Sequence, residues 1–343
     1  MLGPVVTDVA GPTLTPVERE RLRHPLVGMV ILFSRNFVDN EQLVALITEI
    51  RSLREPPLLI AVDHEGGRVQ RFRRGFTAIP PMAELGRLWD RDVLAACRTA
   101  VSVGYVIGAE LRAHGVDLTF APVLDLAWGR SAVIGDRALH ADARVVTMLA
   151  SHLCHGLARA GMANCGKHFP GHGWARADSH QVVPRDTRSL ARILKQDAAP
   201  YAWLGAALCA VMPAHVVYER VDRLPAGFSR RWIEDILRGR LGFTGVVFSD
   251  DLSMAGARVV GGVLESAEAA LEAGCDFVLV CNDAAATDRV LDGLRWKAAE
   301  DFLQRLMHIM PRGGALTPRS LHDDARYRRA CADIAAWCAA STP

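Results

Sequence analysis

The sequence predicts a single-domain α/β fold, a (β/α)8 barrel of the TIM type. Short apolar runs alternate with longer amphipathic stretches along the chain, which is typical of strands connected by helices. Eight such runs can be counted, and each is continuously apolar, as in a parallel sheet that is buried on both faces. The chain has 343 residues, and a barrel of this type usually needs roughly 250 residues plus insertions.

The candidate strands are short apolar segments bounded by polar or turn-forming residues. In chain order they are Val5–Gly11, Met29–Phe33, Pro57–Asp63, Leu118–Pro122, Met162–Cys165, Leu208–Met212, Gly245–Ser249 and Asp276–Cys281. An open doubly wound sheet would fit the same alternation, but no G-x-G-x-x-G motif follows the first strand.

The candidate helices fill the intervals between the strands. They are a short segment opening at Thr15–Pro16, then Glu41–Arg54, 91–114, Asp142–Ala160, Leu190–Leu204, Arg230–Arg240 and Ser266–Ala273. From Ala284 onward the chain is predicted to be mostly helical, with a break at Pro311–Gly314. No linker or shift in composition divides the sequence. We therefore expect one domain over residues 1–343, with a helical tail from about residue 284 to 343.

Composition and charge narrow the class of protein. The net charge of +2 gives no reason to expect a nucleic acid or an anionic membrane as partner. The eight cysteines form no C-x-x-C pair, which predicts reduced cysteines in a reducing compartment. No signal peptide is apparent, and no apolar run approaches the roughly 20 residues of a membrane helix. We expect a soluble, cytoplasmic and monomeric protein.

One stretch concentrates ionisable side chains. Lys167 to Gly173 reads K-H-F-P-G-H-G, and Asp178, Ser179 and His180 follow closely. The glycines and the proline predict a backbone that is neither helix nor strand. The segment follows the fifth candidate strand. Ionisable groups crowded into a loop at the end of a strand predict a functional site.

Other candidate strands also end in polar residues. Asp63 to Arg68 follows the third strand, Asp125 the fourth, His215 the sixth, Asp250–Asp251 the seventh and Asn282 the eighth. Chemistry in this barrel type lies at the carboxyl ends of the strands. Some of these residues have structural interpretations: a tight turn at Gly66–Gly67, an ion pair from Glu65 to an arginine, and a cap at Asp251.

A zinc site is an alternative for the histidine-rich stretch. His168, His172, Asp178 and His180 are all possible ligands. Their spacing matches no common zinc motif, there is no H-E-x-x-H helix, and the cation of Lys167 would be unfavourable beside a metal. We therefore predict no metal and no organic cofactor.

Three motifs together resemble a known enzyme family. They are D-H-E-G-G-R-V-Q-R from Asp63 to Arg71, the K-H-F-P-G-H-G…D-S-H stretch, and F-S-D-D-L-S-M from Phe248 to Met254. This combination resembles glycoside hydrolase family 3, and more narrowly the bacterial cytoplasmic β-N-acetylglucosaminidases of peptidoglycan recycling. The similarity extends from Asp8 to about Asn282, and K-H-F-P-G-H-G-x4-D-S-H is a specific pattern.

The resemblance implies a barrel without a second domain, which releases terminal N-acetylglucosamine from muropeptide fragments with retention of configuration. It implies that Asp250 is the nucleophile, that His180 is the acid/base and that Asp178 is its partner. The implied sugar-binding residues are Asp63, Arg71, Arg137, Lys167 and His168. His64 stands where many relatives of this family have Gln.

The residue types suit these roles on chemical grounds. Retaining hydrolysis needs a nucleophile on one face of the sugar and an acid/base on the other. The carboxyl group of Asp250, with an ordinary pKa of about 4, is ionised at neutral pH. An imidazole titrates at about 6.5, so His180 can exchange a proton, and Asp178 can orient its ring.

Two other functions use the same residues. A phosphorylase would let phosphate attack the glycosyl-enzyme in place of water, and a histidine acid/base would repel this anion less than a carboxylate. A non-catalytic sugar-binding barrel is the third possibility, although binding alone requires neither Asp250 nor the Asp178–His180 pair.

Overall fold

Eight parallel strands form one sheet in the computed structural model, which describes residues 1–176 and 183–341. The strands, numbered β1 to β8 in chain order, are Val5–Thr7, Val27–Leu32, Leu59–Val62, Leu118–Thr119, Cys165–Phe169, Ala210–Pro213, Val246–Asp251 and Phe277–Leu279. Their spatial order is β4-β3-β2-β1-β8-β7-β6-β5, so neighbours in sequence are neighbours in space, with β1 beside β8. All pairs are parallel.

The sheet closes on itself between the segments that contain β4 and β5. The amide of Cys165 donates to the carbonyl of Ala121 at 2.8 Å, and the amide of Leu124 donates to the carbonyl of Lys167 at 2.7 Å. Parallel bridges between these segments lie at Leu118–Ala163 and Val123–Lys167. The prediction of a (β/α)8 barrel is therefore confirmed.

Helices follow each strand and cover the outside of the barrel. They are Pro16–Arg23, Asn40–Ser52, Ala83–Arg91, Val93–Ala113, Ala143–Arg159, Leu190–Lys195, Ala199–Leu204, the π-helical Arg231–Arg240, Val263–Ala273 and Ala284–Gly293. Three more follow in the C-terminal region: Phe302–Leu306, Pro318–Leu321 and Ala325–Ser341. Short 3₁₀ turns lie at Ser34–Asn36, Gly135–Arg137, Gly205–Ala207, Ala226–Phe228 and Ala255–Val260.

One predicted helix is confirmed, and another is divided in the structure. The helix predicted at 91–114 is the continuous helix Val93–Ala113, and Asp92 caps its start by accepting a hydrogen bond from the amide of Ala95. The segment 190–204 is interrupted after Lys195, and a new helix begins at Ala199 with Pro200 in its first turn. A proline is tolerated there because the missing N–H would have no partner within the helix.

The fifth strand was predicted to end at Cys165, and this was wrong. Strand β5 begins at Cys165 and continues to Phe169, so Lys167 and His168 lie in a strand and not in the predicted loop. The amide of Lys167 donates to the carbonyl of Pro122 at 3.2 Å, as part of the barrel closure. Polar residues are tolerated in this buried strand because their side chains find charged partners at the end of the barrel.

A short antiparallel hairpin follows β3. Its two arms are His64–Gly66 and Val69–Gln70, and the turn contains Gly66 at φ +106° and Gly67 at φ +55°. The tight turn predicted for these glycines is confirmed, since positive φ values favour glycine. The hairpin turns the chain over the barrel rim and buries the ring of His64.

The longest helix, Val93–Ala113, is long and apolar enough by composition to cross a membrane. About two-thirds of it is nevertheless buried inside the protein, where it packs against Ala143–Arg159 and Ala325–Ser341. Its Glu110 accepts a hydrogen bond of 2.6 Å from the hydroxyl of Tyr327 in the last helix. These contacts are those of a core helix, and they attach the C-terminal region to the barrel.

The burial of His64 has a consequence for stability. Its ring is packed 5.9 Å from that of Phe72 and 5.7 Å from that of Phe76, centroid to centroid. Burial, with help from Arg73 and Arg71, lowers the pKa of His64 to about 3. The folded protein therefore keeps this ring neutral at a pH where the unfolded chain already binds a proton.

We predict that His64→Gln reduces the loss of unfolding free energy that the protein shows as the pH falls. In the wild type, the free energy of unfolding should fall as the pH drops below 6.5, by up to about 1.4 kcal/mol per pH unit from this residue alone. Urea unfolding at pH 7.5 and at pH 5 should show a loss about 2 kcal/mol smaller in the variant. The exposed His155, changed to Gln, is the control. Equal losses in His64→Gln and wild type would contradict the prediction.

Candidate active site

A cavity of about 520 Å³ opens at the carboxyl ends of the barrel strands. Six of the predicted site residues line it: Asp63, Arg71, Arg137, Lys167, His168 and Asp250. Strands β5 and β7 and the connections after β3 and β4 supply them, so residues far apart in sequence meet at one rim. The other two predicted site residues, Asp178 and His180, lie outside the described residues.

The buried ammonium group of Lys167 lies at the centre of the charged side chains. Its Nζ is 2.6 Å from Oδ1 of Asp63 and 2.6 Å from Oε1 of Glu65. Burial lowers the pKa of Lys167, but the two carboxylates raise it more, and the net pKa lies above the ordinary value. Lys167 is therefore a fixed cation that joins the end of β5 to the chain just after β3.

Glu65 is held from a second side by Arg137. The guanidinium contacts both carboxylate oxygens at 2.8 Å, in the two-point geometry that gives the strongest pairs. Burial raises the pKa of Glu65, but Lys167 and Arg137 outweigh it and hold the pKa of this carboxyl far below its usual range. The prediction that Glu65 pairs with a nearby arginine is confirmed.

Asp63 is less enclosed than Glu65. One of its oxygens faces Lys167, and the other lies 3.6 Å from Nη2 of Arg71. Its side chain remains 19% exposed, whereas that of Glu65 is 3% exposed. Asp63 can therefore still accept a hydrogen bond from a ligand in the cavity, whereas both oxygens of Glu65 are occupied by Lys167 and Arg137.

His168 is oriented by a fully buried carboxylate. Oδ2 of Asp125 lies 2.7 Å from Nδ1 of His168, and Oδ1 accepts a hydrogen bond of 2.6 Å from the amide of His172. Burial raises the pKa of Asp125, but these two histidines lower it more, and the net pKa is below its ordinary value. Because Nδ1 of His168 faces Asp125, Nε2 is the nitrogen left for the cavity that this residue lines.

Asp250 lies near the end of β7 and is partly exposed to the cavity. One carboxylate oxygen accepts a hydrogen bond of 2.8 Å from the amide of Asp251. Burial raises the pKa of Asp250, but the neighbouring His215 and His168 lower it more, and the net pKa falls below its ordinary value. Asp250 is therefore a carboxylate at neutral pH, beside an open cavity.

The neighbouring Asp251 has a structural role that differs from that of Asp250. Its side chain accepts hydrogen bonds from the amide and hydroxyl of Ser253 at 3.0 and 2.9 Å, and from the amide of Cys281 at 3.2 Å. Burial raises the pKa of Asp251 to about 6, although the bonds from Ser253 and Cys281 work against this rise. The predicted helix cap at Asp251 is wrong, because Asp251 ends β7 and its side chain stabilises the turn to Ser253, whereas Met254 precedes the next 3₁₀ helix. Of the two consecutive aspartates, Asp251 thus shapes the turn, and Asp250 is left to face the cavity.

His215, at the end of β6, holds the backbone of this turn. Its Nε2 lies 3.1 Å from the carbonyl oxygen of Asp251, and its ring stacks on Phe228 with an angle of 6° between the planes. Burial lowers the pKa of His215, so the neutral ring, with its proton on Nε2, is the form that fits this contact.

Several residues that line the cavity were not predicted. Phe33, Phe120, Met212 and Cys281 supply apolar surface between the charged groups. They lie in or near the same strand ends as the polar residues. In the sequence, only this position could have indicated that they line the cavity. The sequence analysis interpreted Glu65 as a structural ion-pair partner. It noted Asp125 at the end of a strand but assigned it no role.

The structure leaves the zinc alternative untested. Within residues 1–176 and 183–341, no three side chains of His, Cys, Asp or Glu come together in a way that could hold a metal ion. Two of the four possible zinc ligands, Asp178 and His180, lie outside these ranges. His168 and His172 remain close, with ring centroids 6.2 Å apart.

The arrangement favours a neutral polyhydroxyl ligand. The cavity offers an acceptor at Asp63, donors at Arg71 and Arg137, an imidazole at His168 and a free carboxylate at Asp250. Carboxylates and cations that point into one small cavity can each bond a hydroxyl, and apolar patches between them fit the C–H faces of a sugar ring.

Known proteins resemble this chain over nearly its whole length. The protein named beta-hexosaminidase from Bordetella parapertussis is 63% identical over 330 residues, which are 96% of this chain and 94% of that protein. The crystal structure of native NagZ from Neisseria gonorrhoeae superimposes with a TM-score of 0.93 at 46% identity, and covers 100% of this chain and 98% of its own. NagZ has also been solved with N-trifluoroacetyl-D-glucosamine (TM-score 0.92, 47% identity) and with a zinc ion (TM-score 0.92, 46% identity), with 98% of both chains covered in each case.

The family follows from these comparisons. Residues 6–310 match the model of the glycosyl hydrolase family 3 N-terminal domain. This range includes all three motifs on which the resemblance in the sequence was based. The chain is a glycoside hydrolase, and it belongs to glycosyl hydrolase family 3.

Proposed function

We propose that this protein is a retaining exo-β-N-acetylglucosaminidase. It removes terminal N-acetylglucosamine from peptidoglycan fragments such as GlcNAc-1,6-anhydro-MurNAc in the cytoplasm, as part of cell-wall recycling. The observation that carries the proposal is the ionised Asp250 in the same cavity as Asp63, Lys167 and His168. The name beta-hexosaminidase of a relative at 63% identity and the glucosamine derivative bound by gonococcal NagZ support the same substrate class.

Substrate recognition uses the fixed charges of the cavity. Asp63 accepts hydroxyl protons, while Arg71, Arg137 and Lys167 donate to sugar oxygens, and His168 offers Nε2. Because the ion pairs with Glu65 and Asp125 hold Arg137, Lys167 and His168 in place before substrate arrives, their part in binding costs little side-chain entropy.

The proposed first step forms a glycosyl-enzyme. A carboxylate oxygen of Asp250 attacks the anomeric carbon, the bond from this carbon to the leaving oxygen breaks, and His180 donates a proton to that oxygen. In the second step, His180 accepts a proton from water while the water oxygen attacks the same carbon and frees Asp250. Asp178 orients the His180 ring and stabilises its charged form. Two displacements at one carbon retain the configuration.

Asp250→Asn should abolish turnover without unfolding the protein. The substitution keeps the shape of the side chain and removes the charge that attacks the sugar, so we expect kcat to fall at least about 10³-fold. The assay uses an aryl N-acetyl-β-glucosaminide, and thermal melting monitors the fold. Asp235→Asn, at an exposed carboxylate on the outer helix Arg231–Arg240, is the matched control. Activity near that of the wild type in a folded Asp250→Asn protein would refute the nucleophile assignment.

The His180 assignment predicts a dependence on the leaving group. A nitrophenolate departs with little help, whereas a sugar alkoxide needs a proton. His180→Ala should therefore lose about 10²–10⁴-fold in glycosylation rate on a natural disaccharide and much less on a nitrophenyl glycoside. Asp178→Ala should show the same pattern more weakly, because this residue acts through His180.

The same variants should slow the second step on nitrophenyl substrates. The glycosyl-enzyme on Asp250 should then accumulate, and it is measurable as a burst of nitrophenol and as a mass increase of one sugar. Equal losses on both substrate types, with neither a burst nor an adduct, would show that the acid lies elsewhere.

Activity should be independent of metal ions. The proposed steps use carboxylate and imidazole groups only, so dialysis against a strong chelator should leave kcat unchanged. The comparison is made with enzyme dialysed against buffer alone. A loss of activity that added zinc restores would favour the histidine-cluster alternative, in which His168 and His172 bind the ion.

A further inference from the structure

Asp250 lies in an irregular part of strand β7. Phe248 pairs with Phe277 in β8. The next paired positions are Asp251 and Leu279, so β7 has one residue more than β8 between the two pairs. Such an extra residue is a β-bulge, and bulges beside active sites redirect side chains. Asp250 and Asp251 both line the cavity, although consecutive side chains of a regular strand point to opposite faces. The bulge therefore sets the direction of the Asp250 side chain.

Strand β8 holds the bulge from one side. The amide of Leu279 donates to Oγ of Ser249 at 3.0 Å, and the hydroxyl of Ser249 donates to the carbonyl oxygen of Asp250 at 2.8 Å. The amide of Leu252 donates to the carbonyl oxygen of Leu279 at 2.8 Å. The chain is thus attached to β8 both before and after Asp250.

Strand β6, on the other side, offers few backbone donors to the end of β7. Its last position paired with β7 is Val211, opposite Val247. Farther along β6, Pro213 has no N–H. The amide of Ala214 donates to the carbonyl oxygen of Phe169 in β5 at 2.7 Å. Neither Pro213 nor Ala214 can therefore donate a backbone hydrogen bond to the bulge.

The imidazole of His215 takes the place of such a donor. His215 follows the end of β6, and its Nε2 lies 3.1 Å from the carbonyl oxygen of Asp251. The fully buried ring is held in this orientation by its stacking on Phe228. Among the described residues, its other nitrogen, Nδ1, has no hydrogen-bond partner. Nε2 is therefore the nitrogen through which this ring acts on the turn.

We propose that His215 is a positioning residue for Asp250. Its Nε2–H replaces the backbone donor that the end of β6 lacks, and so fixes the bulge that directs the Asp250 carboxylate toward the anomeric carbon. The proposal rests on the proposed role of Asp250 as nucleophile. It adds a group that does not touch the sugar and acts only through the backbone of Asp251.

The test compares His215→Met with His215→Gln. The two new side chains have nearly the same length, but only the Gln amide can donate to the carbonyl oxygen of Asp251. In His215→Met we expect kcat/KM to fall about 10²-fold, the loss that a displacement of about 1 Å can cause. The factor should be the same for a natural disaccharide and a nitrophenyl N-acetyl-β-glucosaminide, because both need the attack by Asp250. His215→Gln should recover most of the loss.

Binding of N-acetylglucosamine separates positioning from a collapse of the cavity. Its inhibition constant, measured by competition with the nitrophenyl substrate, should stay unchanged in both variants, since His215 does not line the cavity. A merely structural role would weaken this inhibition as kcat/KM falls, and Gln would then bring no recovery.

Two further variants complete the test. His114→Met is the matched control, because His114 is also buried and its Nδ1 lies 2.7 Å from the carbonyl oxygen of Glu110, outside the cavity wall. It should lose stability and keep kcat/KM. Phe228→Leu keeps the imidazole of His215 and removes the ring on which it stacks. It should show a smaller loss of the same kind, even if His215→Met fails to fold.

The outcomes separate this proposal from the one on which it rests. If Asp250→Asn is inactive while a folded His215→Met protein keeps its kcat/KM, or while His215→Gln loses as much as His215→Met, the imidazole does not position the nucleophile. The same conclusion follows if His215→Met does not fold and Phe228→Leu loses nothing. If Asp250→Asn remains active, the nucleophile assignment fails, and the role of His215 fails with it.

Discussion

The buried cation of Lys167 is the interaction on which the rest of the site depends. With a side chain 3% exposed, it would be strongly unfavourable without partners, because removal of an ammonium group from water costs several kcal/mol. Two carboxylates at 2.6 Å offset this cost, and Arg137 balances the second of them. Two positive and two negative charges thus neutralise each other inside the barrel. Loss of any one of them would leave an uncompensated charge.

This network explains how a barrel rim becomes an ordered cavity. Lys167 belongs to β5, Asp63 and Glu65 follow β3, and Arg137 comes from the connection after β4, so the ion pairs tie three successive parts of the barrel together. Asp125, which follows β4, is likewise bonded to His168 in β5 and to His172 just after β5, and so ties these two parts of the barrel together. The side chains that would bind a sugar are therefore held by partners that the sugar need not displace.

The barrel fold and most of the polar residues at its rim could be predicted from the sequence. The contacts among these residues could not. Runs such as Val27–Leu32 are apolar at almost every position, which marks a strand buried on both faces. Strand β5 was misplaced because Lys167 and His168 are polar, and only their distant partners make them compatible with a buried strand. The contact of Asp125 with His168 joins positions 43 residues apart, and no local pattern indicates such a pair. The helix Ala83–Arg91 was not predicted, and only the cap at Asp92 separates it from the predicted helix that begins at Val93.

The balance of charge in the cavity also restricts the kind of ligand. Asp63, Glu65 and Asp250 face Lys167, Arg71 and Arg137, so formal charges of both signs are matched. An anion bound at the cations would compete with carboxylates already in contact, and a cation bound at the carboxylates would compete with Lys167. A neutral ligand with many hydroxyl groups needs no such exchange, since it adds hydrogen bonds to ion pairs that stay intact. Asp250 differs from the other two carboxylates because its neighbours include the rings of His215 and His168, which lower its pKa without a bidentate partner. The same cavity can therefore hold a neutral sugar with paired charges and keep one carboxylate ionised for chemistry.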